Sequence, residues 1–325
     1  MRSLALPLIV LCACVGDSST PTDAGIDASG SDAVVDTSTK DAPADAPADV
    51  VAAACDLQKP FGTPSLVPNV NSTDNDYGYV WNDTTMYISS YRSGGAGDFD
   101  LWIATRTDTS SPFGAPTVVP LTTGGLNSAK IDIDISLTSD GLTAYFATSR
   151  ASTSGATDIW VATRRSTVAD FANAAQVANI NSPTFQERQP WISGDGSTLY
   201  FASSTATGYD DIYRATKSGS QFGAPTLVTE LAMPGYDFAP VLDASQLTIY
   251  FASDRAGGVG SLDVWSATRS STSVAFGTPT NVTTVNSTGD EFPTALSTDG
   301  CILYMASSRQ GTTGNSDIWQ AIRPK

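Results

Sequence analysis

Short stretches in which apolar and polar residues alternate recur along the chain, and they are rich in the β-branched and aromatic residues typical of strands. One kind is centred on a tyrosine, and its five copies read MYISSYR, AYFATSR, LYFASST, IYFASDR and LYMASSR. The tyrosines lie 58, 55, 50 and 54 residues apart. A period of this length is typical of repeat architectures, so five similar units are predicted.

Two further stretches accompany each tyrosine stretch. Those that follow it read DLWIATR, DIWVATR, DIYRATK, DVWSATR and DIWQAIR, and those that precede it read PFGTPSLV, PFGAPTVV, DFANAAQV, QFGAPTLV and AFGTPTNV. A fourth run enters the tyrosine stretch through a turn such as SGDGSTLYF, in which Asp-Gly suits a tight hairpin. Four strands in about 50 residues predict a β-propeller blade.

The segment ADFANAAQVANI is the one stretch that looks helical. Its Phe171 takes the place of the phenylalanine in the four FG motifs, so the segment is predicted to be a strand.

The order of the stretches predicts how the ring closes. An FG stretch at 61–67 precedes the first blade, and none follows DIWQAIRPK in the last one. If this stretch is the outermost strand of each blade, the N-terminal copy must complete the last blade. The prediction for residues 55–325 is therefore an all-β, five-bladed propeller of four-stranded antiparallel blades, closed by its N-terminal strand.

These repeats resemble the TolB-like, WD-type β-propeller family, whose blades carry an S-x-D-G turn, a Y-F-x-S-x-R strand and a D-I-W or D-I-Y strand. The resemblance covers residues 57–323. The sequence departs from the pattern at WNDTTMY in blade one, at LDASQLTIY in blade four and at Thr205, which replaces the arginine in blade three. The resemblance implies the fold and leaves the function open.

The N-terminus reads MRSLALPLIVLCAC, with an apolar run of signal-peptide length, so residues 1–13 are predicted to be an export signal. Its end, LCAC, resembles a bacterial lipobox, which implies lipidation of Cys14; plain secretory cleavage is the alternative. Residues 14–54 are rich in Asp and lack aromatic residues, which predicts a disordered acidic tether. The expected location is the outer membrane or cell surface, with a lipid anchor, and otherwise the periplasm or the medium.

Cys55 and Cys301 are the two cysteines within the predicted propeller. Cys55 precedes the closing strand, and Cys301 lies in the turn between the two inner strands of the last blade, on the same face of the ring. An exported protein meets an oxidising compartment, so we expect a disulfide between them. The alternative is two free thiols that lie too far apart to bridge.

The charge balance limits the partners. The chain has 33 acidic residues against 17 Lys and Arg, a net charge of −16, and no histidine. Phosphate backbones would repel it, which argues against a nucleic-acid partner. A single propeller buries its own core, so a monomer is expected.

Residues that recur in every blade are predicted to be structural. An aspartate opens each third strand and an arginine closes the preceding strand in four blades, which suggests an ion pair within each blade. These residues are Asp100, Asp158, Asp211, Asp263 and Asp317, with Arg92, Arg150, Arg255 and Arg309.

A second recurring set consists of one acid at the head of each innermost strand: Asp76, Asp132, Glu187, Asp237 and Glu291. Innermost strands line the channel, so these carboxylates are expected near one of its mouths. They could cap neighbouring turns, contact a ligand or hold a hard cation such as Ca²⁺, and no other cofactor is indicated.

Differences between blades are the better guide to a ligand. Blade one has Tyr77, blade two has Asp134, blade three has Arg188 and blade four has Tyr236, and aromatic rings beside polar groups suit a sugar. Tyr79, Trp81, Gln186 and Trp191 belong to the same runs, although alternation places some rings in blade packing.

Two functions remain open. The favoured one is a non-catalytic binding scaffold for a protein or a glycan. The alternative is a glycan-active enzyme that would use two carboxylates at the channel mouth. No phosphate-binding loop or nucleophile motif is present in the sequence.

Overall fold

The computed structural model describes residues 55–151, 156–204 and 208–325. The predicted signal, the predicted tether and Cys14 lie outside these ranges. Within them the chain forms only strands and turns, and no helix is long and apolar enough to cross a membrane. The strands are β1 (Ser65–Leu66), β2 (Asp76–Trp81), β3 (Thr85–Ser90), β4 (Asp100–Thr105), β5 (Thr117–Val118), β6 (Asp132–Leu137), β7 (Thr143–Thr148), β8 (Asp158–Thr163), β9 (Ala172–Gln176), β10 (Glu187–Ile192), β11 (Thr198–Ser204), β12 (Asp210–Ser218), β13 (Gln221–Phe222), β14 (Thr226–Leu227), β15 (Asp237–Leu242), β16 (Thr248–Ser253), β17 (Asp263–Thr268), β18 (Thr280–Asn281), β19 (Glu291–Leu296), β20 (Ile302–Ser307) and β21 (Asp317–Ile322).

Five antiparallel sheets form the five blades of a propeller, as predicted. From the innermost strand outward their orders are β2-β3-β4-β5, β6-β7-β8-β9, β10-β11-β12 with β13 and β14 both on β12, β15-β16-β17-β18, and β19-β20-β21-β1. The segment around Phe171 runs into strand β9, so the strand prediction there is confirmed.

The turn between the two inner strands has the same glycine conformation in three blades, and blades one and four use other residues there. In the S-x-D-G form, glycine takes the left-handed conformation that the turn needs, as Gly196 does with a φ of 71°. In blade one Asn82 and Asp83 adopt φ values of 51° and 52°, and in blade four Gln246 adopts 59°. Blade four therefore keeps the turn and changes only the residue in the left-handed conformation, whereas blade one uses a shorter turn with two such residues.

The N-terminal strand closes the ring. Strand β1 pairs antiparallel with β21, with Ser65 opposite Gln320, which makes it the outermost strand of blade five. The disulfide between Cys55 and Cys301 joins the two ends of the closure, with the Cα atoms 5.7 Å apart. Both the closure and the disulfide were predicted from the sequence, and both are confirmed.

Five of the six hydrophobic core clusters of the described residues lie one at each junction between neighbouring blades. Each of these five clusters contains the tyrosine of one blade and the FG-type phenylalanine of the next blade in the ring. The pairs are Tyr87 with Phe171, Tyr145 with Phe222, Tyr200 with Phe276, Tyr250 with Phe61, and Tyr304 with Phe113. The repeated aromatic residues therefore hold blades to one another.

A cation at the end of each third strand covers these aromatic pairs. Arg323 stacks 3.9 Å from the centre of the Phe61 ring and donates a 2.7 Å hydrogen bond to the hydroxyl of Tyr250. The corresponding cations on the other four phenylalanines are Arg106, Arg164, Lys217 and Arg269. Each junction thus combines apolar burial with a cation–π contact.

Removing the disulfide tests the closure. We expect Cys55→Ser/Cys301→Ser to lower the free energy of unfolding by about 2 to 5 kcal/mol, because the bridge constrains a long loop of the unfolded chain. Urea unfolding of the oxidised parent and the double variant measures this difference. Equal midpoints would show that the two-residue strand β1 closes the ring without help.

Candidate functional site

The five acids of the innermost strands occupy the predicted strand ends, and all five are buried. Each accepts a hydrogen bond from a backbone amide of the loop that precedes its own strand. The amides belong to Ser72, Ser128, Ser182, Met233 and Ser287. Capping of a neighbouring turn, one of the three roles considered for this set, therefore describes the contacts of every member.

Four of these acids are also neutralised by an arginine that lies two residues after the second strand of their blade. The pairs are Asp76 with Arg92, Asp132 with Arg150, Asp237 with Arg255, and Glu291 with Arg309, at 2.5–3.2 Å. The arginines had been predicted to pair with the aspartates of the third strands, and this prediction is wrong. Loop amides donate instead to three of the third-strand carboxylates, Asp100, Asp263 and Asp317. Asp100, for example, accepts from Ala96 and Gly97 at 2.8 and 2.9 Å.

A shared cation site for the five acids has no geometric support. Across residues 55–151, 156–204 and 208–325, no three His, Cys, Asp or Glu side chains lie close enough together to hold a metal ion. Binding of Ca²⁺ by this set stays a prediction.

Glu187 in blade three departs from the pattern. It accepts hydrogen bonds from the Ser182 amide at 3.0 Å and the Ser203 hydroxyl at 2.8 Å, but no arginine among the described residues pairs with it. Burial raises the pKa of Glu187 to about 7, and the charge of Asp158 adds to the shift. Glu187 is therefore a buried carboxyl group that titrates near neutral pH.

The blade-specific residues come together at one mouth of the channel. Tyr77, Asp134, Arg188 and Tyr236 all line a cavity of about 470 Å³. The remaining lining residues are Tyr79, Phe99, Ile133, Gln189, Phe238, Leu262 and Phe292. The sequence thus predicted one residue of the cavity in each of four blades.

Aromatic rings form the wall of this channel-mouth cavity. The ring centre of Tyr77 lies 5.9 Å from that of Phe99 and 5.6 Å from that of Phe292. Phe292 lies 6.0 Å from Phe238, and Phe238 lies 6.4 Å from Tyr236. These spacings are those of tilted and edge-to-face pairs, so the five rings form one continuous apolar surface.

The polar floor of the cavity depends on bulges in the innermost strands. Asp134, Gln189 and Ala239 adopt φ values of 56°, 53° and 53° at the irregular step of their strands. The Gln189 amide donates to Asp134 Oδ2 at 3.3 Å, and the Ala239 amide donates to Gln189 Oε1 at 3.0 Å. Side chains at the bulges therefore link blades two, three and four around the channel.

Asp134 is occupied on both carboxylate oxygens, because Oδ1 accepts the hydroxyl of Tyr79. Burial raises the pKa of Asp134, and it raises the pKa of Tyr79 well above its usual value. Burial also raises the pKa of Tyr77 to about 12, with the charge of Asp134 as the next cause. Both phenols therefore stay protonated at neutral pH and can donate hydrogen bonds.

Arg188 contributes a cation whose charge is already balanced. It forms an ion pair with Asp210, and its guanidinium group lies 5.2 Å from the centre of the Phe238 ring. The Arg188 side chain is 29% exposed, against 3% for Asp210. The cavity therefore offers a guanidinium edge without a net positive charge.

Several residues of the predicted runs lie elsewhere. The indole of Trp81 donates to the carbonyl oxygen of Thr138 and packs between blades one and two, and Trp191 packs 6.0 Å from Tyr200. Gln189, rather than Gln186, reaches the cavity. Strict alternation missed it because the bulge shifts the register between Arg188 and Trp191.

Comparison with known structures supports the fold. An endo-arabinase from Bacteroides thetaiotaomicron VPI-5482 has a TM-score of 0.51 at 14% identity, with 81% of this chain and 96% of that chain covered. A thermostable family-43 glycoside hydrolase has a TM-score of 0.50 at 12% identity, covering 80% and 91%. At such identities the likeness shows the fold alone.

TolB proteins are also among the structural neighbours. TolB from Acinetobacter baumannii has a TM-score of 0.45 at 16% identity, and the match covers 77% of this chain and 54% of that chain. No family model and no curated protein sequence matches the chain.

Stability should depend on pH through Glu187. Its pKa is higher in the folded state than the ordinary value of 4.5, so folding favours the protonated form. The contribution of Glu187 to the free energy of unfolding is therefore greatest below about pH 4.5 and is lost as the pH rises through about 7. Glu187→Gln should remove this loss, and urea unfolding at several pH values measures it.

Glu291→Gln is the matched control, because it removes a carboxylate that is paired with Arg309 and should destabilise the protein at neutral pH. If Glu187→Gln destabilises the protein as much as Glu291→Gln does, the assignment of an unneutralised Glu187 is wrong.

Proposed function

We propose that this protein is an extracytoplasmic, non-catalytic glycan-binding protein, and that the glycan binds in the channel-mouth cavity. The observation that carries the proposal is the continuous wall of five aromatic rings over a polar floor. Sugars present apolar faces that stack on rings, and hydroxyl groups that exchange hydrogen bonds with polar side chains. The volume of about 470 Å³ lies within the range of small-molecule sites, about 300 to 1,000 Å³.

The polar groups suit an uncharged ligand. Tyr77 can donate a hydrogen bond, Gln189 can exchange them, and Arg188 presents a guanidinium edge that Asp210 neutralises. An anionic ligand would meet Asp134 and the acidic surface of the protein. A neutral oligosaccharide avoids both costs.

Binding is favoured over hydrolysis because of the carboxylates. Glycoside hydrolases of the usual kind need two carboxyl groups that flank the scissile bond, about 5 to 9.5 Å apart. Asp134 is the one carboxylate among the described residues that line the cavity, and both of its oxygens accept hydrogen bonds from the protein. The five innermost-strand acids are buried in their own blades. They are therefore poorly placed to act on a bound sugar.

The disulfide between Cys55 and Cys301 indicates an oxidising compartment, which supports a location outside the cytoplasm. We extend the proposal to a lipid anchor on Cys14 at the outer membrane, with the propeller carried as a monomer on residues 14–54. A lipid-anchored protein of this kind would hold a glycan, or a protein that carries one, close to the membrane surface.

Glycan binding can be tested on an array of neutral oligosaccharides and polysaccharides, with the full chain as Cys14→Ser in solution. We expect Tyr236→Ala to weaken binding about 10-fold, because it removes one ring, and a loss of 1.4 kcal/mol is a factor of ten. Leu121→Ala, an exposed apolar residue outside the cavity, is the control and should bind like the parent. Absence of binding to every glycan, or equal binding by both variants, would contradict the proposal and favour a protein ligand.

The anchor makes a separate prediction. Expression of the full chain in a bacterium should place it in the membrane fraction, with a lipid on Cys14 detected by mass spectrometry of the mature N-terminus. Cys14→Ser should move the protein to the soluble fraction, and Cys12→Ser should not. A soluble parent chain with an unmodified N-terminus would contradict the lipid anchor.

A further inference from the structure

Four blades share an arginine site that is built the same way each time. The guanidinium group pairs with the acid of the innermost strand, and its Nη2 atom donates to a loop carbonyl oxygen at 2.5–2.7 Å. Its Nε atom donates to the hydroxyl group of the second strand at 2.8–3.2 Å. Its plane lies 5.0–5.4 Å from the indole of the third strand.

The groups that surround these arginines are four acids, four hydroxyls, four carbonyls and four indoles. They belong to Asp76, Asp132, Asp237 and Glu291; Ser90, Thr148, Ser253 and Ser307; Val70, Leu126, Leu231 and Val285; and Trp102, Trp160, Trp265 and Trp319.

Blade three keeps every one of these recognition groups. Glu187 supplies the acid and Ser203 supplies the hydroxyl group. Ile180 supplies the carbonyl oxygen, and Tyr213 supplies the aromatic ring in place of the indole. All four line a single cavity of about 400 Å³, together with Phe185. Blade three lacks only the arginine: five residues after the tyrosine its sequence has Thr205, where the other four blades have arginine.

The electrostatics of this blade-three cleft favour a cation. Glu187 is buried and no described cation pairs with it. Asp211, which lies opposite Ser203 across the sheet, has a buried carboxylate oxygen without a hydrogen-bond partner. Burial raises the pKa of Tyr213, and the charges of Asp211 and Glu187 add to the shift. Burial likewise raises the pKa of Glu187, and the charge of Asp158 adds to it.

We propose that the blade-three cleft is a binding site for an external alkylguanidinium group, supplied by free arginine or by an arginine side chain of a partner protein. The ligand would take the position that an internal arginine has in the other four blades. Its Nη and Nε hydrogens would bond to Glu187, the Ile180 carbonyl oxygen and Ser203, and its plane would stack on Tyr213.

The chemistry distinguishes a guanidinium group from other cations. An ammonium group is a compact point charge, whereas the guanidinium group is planar and presents donors in a fixed fork. A cleft with an acid, a hydroxyl and a carbonyl on its edge, and a ring beneath, matches the fork and the plane together. The inference concerns a different cavity from the proposed glycan site and does not depend on it.

The test uses calorimetric titration of the full chain carrying Cys14→Ser at about pH 8. The probes are L-arginine for the free ligand and the tripeptide Gly-Arg-Gly for a partner side chain, with L-citrulline and Gly-citrulline-Gly as uncharged controls of the same shape. We expect one or both arginine probes to bind and both citrulline probes to fail. Binding of the tripeptide alone would assign the site to a protein partner.

Two variants connect the binding to the cleft. Glu187→Gln should weaken arginine binding about tenfold or more, because a charge-assisted hydrogen bond is lost. Thr205→Arg should abolish binding and raise the midpoint of thermal unfolding, because an internal arginine then neutralises Glu187. Leu121→Ala, which changes an exposed residue outside the cleft, should bind arginine like the parent.

Lowering the pH gives an independent readout, because protonation of Glu187 removes the counter-charge. Binding should weaken between about pH 8 and about pH 5, and should do so less in Glu187→Gln. Equal binding of the arginine and citrulline probes, or binding that survives both Glu187→Gln and Thr205→Arg, would overturn the proposal, as would failure of both arginine probes to bind the parent.

Discussion

The packing of each blade against the next is the interaction on which the rest of this structure depends. A tyrosine from one blade and an FG-type phenylalanine from the neighbouring blade share an apolar cluster. The side chain of an arginine or lysine lies over the phenylalanine ring. Because the blades form a ring, every cluster needs both neighbours, and the last one forms only when the chain returns to its start. The channel and both cavities have the shape that this circular packing gives them.

Symmetry explains what the recurring charges do, and the breaks in symmetry indicate where ligands bind. Four innermost-strand acids each pair with an arginine and accept a hydrogen bond from a loop amide, so they stabilise the blades. Glu187 has the amide without the arginine, and Asp134 has no counterpart among the acids of the other innermost strands. Each of the two lines a cavity. Burial of a charged group without a partner of opposite charge costs free energy. A ligand that supplies this partner offsets the cost.

The fold could be predicted from the sequence because its signals repeat. Five copies of each strand fixed the blade number, and the unpaired copy at Phe61 fixed the closure and placed Cys55 beside Cys301. The partners of the arginines could not be predicted in the same way, because two aspartates per blade lie within reach and only loop geometry decides between them. The bulges at Asp134 and Gln189 reverse the alternation, and Phe99 and Leu262 reach the cavity from loops, so periodicity could not place them.

The position of the disulfide decides how the fold responds to mechanical force. Strand β1 contributes two residues to its sheet, and a pull on the chain ahead of it would peel such a strand away from β21. Cys55 lies before that strand and is bonded to Cys301, in the turn that leads into β20. Tension that arrives at Cys55 therefore passes covalently into blade five and bypasses β1, so this two-residue strand is shielded from the force.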